Sequence, residues 1–295
     1  MTGIIPLKKQ ENMTSFLAVK RVRGIVGEKK CGHTGTLDPM ATGVLPVALG
    51  GATRFIELLP THKKAYKATF KLGVVTDTLD IWGKVTEESG KTASLEDVLR
   101  IIPQFKGKIK QVPPMYSALK KDGVRLYELA RQGVEVEREE RECEIFKLEI
   151  EEISDNEFFL YTECSSGTYI RSLIYDIGDC LGTGATMTSL NRIFACGINE
   201  EECITLNELE NYRDNNELEK IIIPVDKILS DYPQINVTKP QGVRFKNGGE
   251  LLKNRLKGEI SLGLLRVYCE DEFLGLGEIL PESENLTVKR VYVER

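Results

Sequence analysis

The segment Gly32–Leu45, which reads GHTGTLDPMATGVL, constrains the fold of this chain more than any other stretch. Glycines permit backbone angles that are closed to other residues and let a ligand approach the main chain. Pro39 favours an extended or turn conformation for Asp38, the residue before it. We interpret the segment as a constrained loop that holds one carboxylate, with His33 five residues upstream. An Asx turn, in which Asp38 bonds its own backbone, explains the loop equally well at this point. The glycines concerned are Gly32, Gly35 and Gly43.

The composition is that of an ordinary globular protein and excludes several kinds of site. Of the 295 residues, 41% are hydrophobic and 29% are charged, and no run approaches the roughly 18 apolar residues of a membrane span. The seven cysteines include no Cys-x-x-Cys pair, which favours reduced thiols over disulfides or structural zinc. Two histidines exclude a multi-histidine metal centre, and the glycine motifs of nucleotide-binding folds are missing. The N-terminus has no apolar leader, so we expect a cytoplasmic protein.

The net charge of −5 conceals an uneven distribution along the chain. Residues 1–67 hold 11 Lys and Arg against 4 Asp and Glu, whereas the other 228 residues hold 29 against 41. A local basic surface can attract a polyanion even when the whole molecule is acidic. Solvated helix faces are the alternative explanation for these lysines.

Hydrophobic spacing and capping residues predict helices, strands and a C-terminal barrel. Helices are predicted from Thr14 or Ser15 to about Gly27, over 94–102 and 124–132, and from Thr168 onward. The first helix is predicted to bury Phe16, Val19, Val22 and Val26. Strands are predicted over 66–72, 142–150 and 157–164. Residues 103–123 are predicted to be a long excursion, and residues 234–295, after a linker at 224–233, a small β-barrel.

Arg171 is a second candidate for a functional site. It lies at about the third position of the helix that Thr168 is predicted to cap, where a cation opposes the helix dipole. Because arginine pairs bidentately with carboxylates and phosphates, we interpret Arg171 as placed for Asp38 or for an RNA phosphate. An exposed surface arginine is the alternative.

Tyr66 and an acidic pair supply the remaining candidates. Tyr66 follows Lys63 and Lys64, a combination that suits base stacking with phosphate contact, although a tyrosine at a strand start also suits the core. Asp77 and Asp80 are compatible with a magnesium site, but we expect them to end a strand and shape a turn.

Several long blocks of sequence, in order along the chain, resemble the bacterial TruB-type tRNA pseudouridine synthases. The resemblance covers nearly the whole chain. Its blocks are Gly32–Leu45, 64–66 with 72–73 and 76–80, 111–120 with 125–131, 164–171 with 190–192, and a tail with Gly248 and 274–277. The chain departs from the family where Lys-Pro-x-Gly reads Lys9-Gln10-Glu11-Asn12, where Asn191 replaces an arginine, and where Trp82 replaces a small residue.

The resemblance implies an α+β fold: a mixed, mostly antiparallel pseudouridine-synthase sheet flanked by helices, plus a small C-terminal PUA-like β-barrel. The implied domains are a catalytic domain over 1–232, with an RNA-gripping thumb at about 103–136, and an RNA-binding domain over 233–295. We expect the thumb to be mobile.

The implied activity is the isomerisation of uridine to pseudouridine at position 55, in the T loop of tRNA, by base flipping. The resemblance makes Asp38 catalytic and assigns substrate contacts to His33, Tyr66, Tyr169, Arg171 and Leu190. It implies no cofactor and no metal, because no atoms are gained or lost. We expect the T arm of tRNA as partner, no required protein partner, no membrane, and a monomer. A non-catalytic tRNA-binding or tRNA-folding protein is the alternative.

Overall fold

The computed structural model describes residues 1–60, 62–258 and 260–293. Short 3-10 helices lie at Gly50–Leu58, Ile102–Phe105, Glu200–Glu202, Leu218–Lys220 and Lys253–Arg255. The α-helices are α1 (Ser15–Val26), α2 (Leu95–Ile101), α3 (Leu126–Arg131), α4 (Ile170–Leu181), α5 (Leu206–Asp214), α6 (Val225–Ile228) and α7 (Lys239–Lys246).

Eighteen strands are found in the described part of the chain. They are β1 (Gly3–Lys9), β2 (Cys31–His33), β3 (Thr42–Leu49), β4 (Lys63–Leu72), β5 (Val74–Thr76), β6 (Val85–Glu88), β7 (Gly107–Gln111), β8 (Lys120–Lys121), β9 (Val124–Arg125), β10 (Arg141–Ser154), β11 (Glu157–Ser165), β12 (Ala185–Ala195), β13 (Ile198–Asn199), β14 (Gln234–Asn236), β15 (Leu251–Leu252), β16 (Gly263–Cys269), β17 (Glu272–Ile279) and β18 (Asn285–Val291).

The main sheet has the strand order β1-β3-β12-β4-β11-β10-β7, with β2 paired to β3 and β13 to β12. Every pairing in it is antiparallel except that of β12 with β3. This arrangement, with helices packed against the sheet, confirms the predicted α+β class. The parallel contact joins Arg192 to Gly43 and Asn191 to Thr42, so it brings together segments about 150 residues apart in the chain.

Strand β4 lies in the middle of this sheet, and its sequence alternates. Tyr66, Ala68, Phe70 and Leu72 are buried, whereas Lys67 is exposed between them. A period of two puts the apolar residues on the face that packs on the core, as predicted. The aromatic rings of Phe70 and Phe158 stack at 5.3 Å between β4 and β11.

Helix α1 has the predicted ends but a different buried face. The Thr14 side chain accepts a hydrogen bond from the Leu17 backbone, and Gly27 ends the helix at φ +68°. These are a normal N-cap and a glycine C-cap. The prediction that Phe16 packs in the core is wrong, because its side chain is 77% exposed. Apolar positions three and four apart share a face, and the buried set here is Ala18, Val22, Ile25 and Val26.

The C-terminal strands form a separate five-stranded sheet of order β14-β16-β17-β18-β15, curled into half a barrel. This matches the predicted small β-barrel. One apolar cluster joins it to the rest of the protein, since Phe55 contacts both Phe273 and Tyr292 at 6.2 Å between ring centroids. Tyr268 also donates a 2.9 Å hydrogen bond to Asp226. The boundary at 232/233 stays a prediction.

The predicted thumb at 103–136 begins inside the main sheet. Strand β7 pairs with β10 from Gly107 to Gln111, so these residues form the sheet edge. The chain leaves the sheet after β7 and returns at β10, with the β8–β9 hairpin and α3 between them. The mobility of this excursion and its contact with RNA stay predictions.

Candidate active site

The loop that carries Asp38 is held from below by a buried lysine. Lys9, at the end of β1, is only 1% exposed. Its Nζ donates hydrogen bonds to the backbone carbonyls of Pro39 at 3.2 Å and Ala41 at 2.5 Å. Burial lowers the pKa of Lys9 to about 8, while the charge of Asp38 opposes this shift. The lysine therefore fixes the backbone on the C-terminal side of Asp38 and adds a positive charge beneath it.

Helix α1 holds the same loop on its N-terminal side. The hydroxyl of Ser15 accepts a hydrogen bond from the Leu37 backbone N–H at 2.8 Å and donates one to the Leu37 carbonyl at 3.0 Å. Both partners are buried. Because each neighbour of Asp38 is bonded to a different element, the loop has little freedom to move the carboxylate. The Asx-turn interpretation alone does not explain such an arrangement.

Asp38 forms an ion pair with Arg171, and this is the central contact of the site. The two side chains meet at 2.9 Å between Oδ2 and the guanidinium. Arg171 also donates to the backbone carbonyls of Thr78 at 2.9 Å and Tyr116 at 2.8 Å, and lies 3.8 Å from Asp80. It is 4% exposed, against 30% for the Asp38 side chain. The alternative of a surface arginine is therefore wrong, and the interpretation that pairs Arg171 with Asp38 is confirmed.

In this pair the carboxylate of Asp38 is partly exposed, whereas the guanidinium of Arg171 is buried. Burial raises the pKa of Asp38, and the nearby charge of Asp80 raises it further. The Arg171 guanidinium and the Lys9 ammonium lower it. The pKa of Asp38 is raised overall, and the two cations oppose the effect of its burial. A charged, oriented carboxylate can act as a nucleophile or as a base.

The start of α4 places Arg171, and here the predicted cap is one residue off. Tyr169 is the N-cap, so Arg171 lies at the second helical position rather than the third. The Thr168 hydroxyl donates to the Ser165 carbonyl instead of capping the helix. The buried amide of Gln111 bonds both the N–H and the C=O of Tyr169, at 3.1 and 3.4 Å. Strand β7 thus fixes the end of α4 from which Arg171 projects.

Tyr66 and Tyr169 lie near the same carboxylate, and Leu190 lies on the strand beside Tyr66. Tyr66 is buried on β4 and lies opposite Arg192 in the register with β12, while Leu190 lies opposite Ala68 on the same pair of strands. Burial raises the pKa of Tyr66 and also that of Tyr169, and the charge of Asp38 contributes to both shifts. Tyr66 is therefore both a core residue and a neighbour of Asp38.

Arg192 links β12 to the loop that carries Asp38. The sequence patterns alone predicted no role for this residue. Its guanidinium is fully buried beneath the loop. Gly43 has φ +97°, and a side chain there would overlap the Arg192 carbonyl. Of the three glycines in the loop, Gly43 alone has a left-handed φ, and it makes room for protein backbone rather than for a ligand. The carbonyls that accept from Arg192 are those of Val44 at 2.8 Å, Gly35 at 3.1 Å and Thr36 at 3.4 Å.

His33 lies at the edge of this group. Burial lowers the pKa of His33, and the positive charge of Arg192 lowers it further, so the ring is neutral at pH 7. Its Nδ1 is buried and has no hydrogen-bond partner in the part of the protein that the structure describes. The lowered pKa makes this ring a weaker base than a free imidazole.

The departures from the family pattern are accommodated locally. Asn12 adopts φ +61°, a conformation that asparagine tolerates better than other side chains except glycine. Asn191 accepts from Thr42 at 3.1 Å and donates to Glu200 at 2.9 Å, so it joins β12 to β3. Trp82 is 49% exposed and does not pack in the core.

Lys9, Asp80 and Arg192 are the residues that sequence reasoning missed. Asp80 does shape a turn, as predicted, because its Oδ1 accepts from Thr78 Oγ1 at 2.7 Å and from the Trp82 N–H at 3.1 Å. The same carboxyl group faces Arg171. The position of Asp80 inside the block 76–80, which resembles the family, was the feature of the sequence that pointed to a role in the site.

The described residues contain neither a metal-type cluster of side chains nor a helix that could span a membrane. No three His, Cys, Asp or Glu side chains are grouped as they would be around a metal ion within 1–60, 62–258 and 260–293. Over the same ranges, no helix has the length and apolar character needed to cross a membrane.

Family comparisons match most of the chain. Residues 23–170 match the TruB family pseudouridylate synthase N-terminal domain. Residues 171–230 match the tRNA pseudouridylate synthase B C-terminal domain, and residues 233–291 match the C-terminal domain of pseudouridine synthase II TruB.

Similar proteins agree with the family comparisons. The chain is 45% identical over 285 residues to tRNA pseudouridine synthase B of Clostridium tetani, covering 96% of this chain and 97% of that protein. It is 43% identical over 277 residues to the protein of the same name in Dechloromonas aromatica, covering 94% and 91%.

Solved structures give the same result. A chain of a Cbf5-Nop10-Gar1 complex matches with a TM-score of 0.78 and 28% identity, over 99% of this chain and 85% of that one. A chain of an H/ACA RNP bound to a substrate RNA containing 2′-deoxyuridine matches with a TM-score of 0.75 and 25% identity, over 99% and 86%. By its sequence, and with a fold to match, the chain belongs to the TruB family of pseudouridylate synthases and is an isomerase of that family.

Proposed function

We propose that this chain isomerises uridine to pseudouridine at position 55, in the T loop of tRNA, and that Asp38 is its catalytic carboxylate. The observation that carries the proposal is the 2.9 Å ion pair between Asp38 and Arg171, because it favours the charged form of a carboxylate on a loop fixed from both sides. The relatives' shared name, tRNA pseudouridine synthase B, supports tRNA as the substrate.

The reaction needs little beyond such a carboxylate. In the isomerisation the N1–C1′ bond breaks, the uracil turns, and C5 forms the new bond to C1′. The N1 position gains a proton and C5 loses one, so no atoms enter or leave the nucleotide overall. No cofactor is therefore required. Arg171 has the task of keeping Asp38 charged and oriented while the substrate displaces water from it.

Base flipping supplies the other half of the mechanism. A uridine stacked in folded RNA must leave the stack before it can reach Asp38, at a cost of a few kcal/mol. Stacking of the uracil on Tyr66 returns about 1–3 kcal/mol of this cost. His33 takes the position that the base has left, and its neutral ring suits such a packing role. Tyr169 and Leu190 form the wall of the uracil pocket.

The remaining parts of the chain grip the RNA in this proposal. The thumb at about 103–136, which extends from the sheet after β7, contacts the T arm. The domain over 233–295 adds a second RNA-binding surface beside the catalytic domain over 1–232. The protein acts as a cytoplasmic monomer without a required protein partner.

The test compares wild type with Asp38→Asn on an unmodified tRNA transcript with no additive. Wild type should form pseudouridine at position 55, and Asp38→Asn should form none while it binds tRNA within about tenfold, roughly 1.4 kcal/mol, of wild type. Asp77→Asn is the matched control, because that exposed carboxylate accepts a backbone bond from Lys84 and forms no ion pair with Arg171 in the described structure. Full activity in Asp38→Asn would overturn the assignment. A wild type that binds tRNA without forming product would favour the tRNA-binding alternative.

A further inference from the structure

Two adjacent lysines at the start of β4 have different surroundings. Lys63 forms an ion pair with Glu163 on β11. Lys64 is half-buried, and none of the carboxylates in the described residues lies within ion-pair distance of its ammonium. Side chains two apart in a strand share a face. Lys64 therefore lies on the face of β4 that carries Tyr66.

The Lys64 ammonium lies against the loop of Asp38 and beside a second cation. A Cβ atom built on Gly35 would be 3.5 Å from Lys64 Nζ and 3.6 Å from an Arg192 guanidinium nitrogen. Both cations thus border the same stretch of side-chain-free backbone. Since Gly35 carries no Cβ, it leaves the Lys64 ammonium uncovered on that side.

The positive charges of Lys64 and Arg192 are not balanced by a paired carboxylate among the described residues. Arg192 is fully buried, and its guanidinium hydrogen bonds go to neutral carbonyls. Burial lowers the pKa of Lys64, and Arg192 lowers it further. Like charges held close together in a partly buried place cost free energy unless an anion compensates them. The buried Nδ1 of His33 has no hydrogen-bond partner among the described residues, and the positive charge of Arg192 acts on this ring.

We propose that Lys64, reinforced by Arg192, binds a phosphate of the RNA strand next to the uracil that stacks on Tyr66. This inference rests on the proposed function. Residues two apart on a strand are separated by about 7 Å, a distance that one nucleotide spans between its base and a flanking phosphate. The absence of a protein counter-ion leaves the charge of Lys64 available to the substrate, whereas Glu163 already neutralises Lys63.

The first measurement is the salt dependence of binding to a T-arm stem-loop RNA. Lys64→Met should weaken binding about tenfold and reduce the magnitude of the slope of log K against log salt by about 0.7 to 0.9, the value of one phosphate contact. Lys63→Met is the matched control and should change the slope much less. Lys64→Arg keeps the charge and should keep the slope. An unchanged slope in Lys64→Met would overturn the proposal.

The second measurement identifies the phosphate. Stem-loop RNAs are made with one neutral methylphosphonate at each position around the target uridine. One substitution should weaken binding to wild type but have little further effect on Lys64→Met, because the two changes remove the same contact. Additive losses at every position would contradict the proposal.

Folding stability separates a binding role from a structural one. Removal of an uncompensated charge should leave the free energy of unfolding of Lys64→Met equal to or above that of wild type. A clear loss of stability would assign Lys64 to the fold instead. Pseudouridine formation by wild type is measured on the same RNA, so a failure of the proposed function appears there, independently of the phosphate result.

Discussion

Substitution of Arg171 by methionine should move the acid limb of the pH–rate profile to higher pH. Arg171 is the strongest influence that lowers the pKa of Asp38, and burial, which raises it, would then act without that opposition. A protonated Asp38 has no free carboxylate for the reaction. Activity should therefore be lost at a higher pH in Arg171→Met than in wild type.

The magnitude follows from the 2.9 Å contact between the two groups. Charge centres about 4 Å apart interact by about 4 kcal/mol at an effective dielectric constant of 20. The Asp38 side chain is 30% exposed, so water screens part of this interaction. What remains after this screening should still move the acid limb clearly to higher pH.

The assay is single-turnover pseudouridine formation between pH 5 and 8, with tRNA at saturating concentration. Arg171→Lys separates charge from geometry, because it keeps a cation but cannot donate to Thr78, Tyr116 and Asp38 in one fork. It should keep the wild-type acid limb at a lower maximal rate. Arg213→Met, at an exposed pair with Asp214, is the control for loss of an arginine.

An unshifted acid limb in folded Arg171→Met would refute this reasoning. Breaking a buried ion pair costs about 3–5 kcal/mol, which a domain of ordinary stability survives. Urea denaturation of each variant verifies that the rates come from folded protein.

The surroundings of this pair lead to three more predictions. Asp80→Asn removes a charge that raises the pKa of Asp38, so the acid limb should move to lower pH; a move to higher pH would contradict this. Burial lowers the pKa of Lys9 to about 8 in the folded state, against 10.5 in the unfolded state. Between these two pH values the unfolded state binds more protons, so the free energy of unfolding of wild type should rise with pH relative to that of Lys9→Met. Parallel urea curves at pH 8 and 10 measure it, and equal changes would refute it. Asn12→Ala should cost about 1 kcal/mol in urea unfolding because of its left-handed φ, whereas Asn12→Gly should cost nothing; equal losses would contradict this.

Local patterns predicted the elements well because local physics decides them. The alternation in 66–72 fixes the buried face of β4, and Thr14 and Gly27 fix the ends of α1. The start of α4 was misplaced by one residue for a non-local reason: Gln111, from β7, bonds the backbone of Tyr169 and replaces a side-chain cap.

The contacts within the site were less accessible from the sequence, apart from what a family resemblance implied. A lysine such as Lys9 reads as a surface residue, since lysines are almost never fully buried without a partner. Its partners are backbone carbonyls of a loop about 30 residues away. Because every residue has a backbone carbonyl, the sequence does not indicate which ones a lysine will bind. The facing of Asp80 and Arg171 likewise depends on how a turn after β5 meets the start of α4.

The cations around the Asp38 loop divide into two kinds, and the division matches two requirements of the chemistry. Arg171 and Lys9 are bonded to protein acceptors, so they hold a carboxylate in one place and favour its charged form. A group positioned in this way reacts without reorganisation when the substrate arrives. Lys64 lacks a protein counter-ion and therefore gains most from an anion that arrives with the substrate. A site in which every cation already had a protein partner would not attract the phosphates of RNA. A site in which no cation had a protein partner would not fix the position of its carboxylate. In this proposal the position of Lys64, two residues before Tyr66 on β4, couples entry of the phosphate to delivery of the base to Asp38.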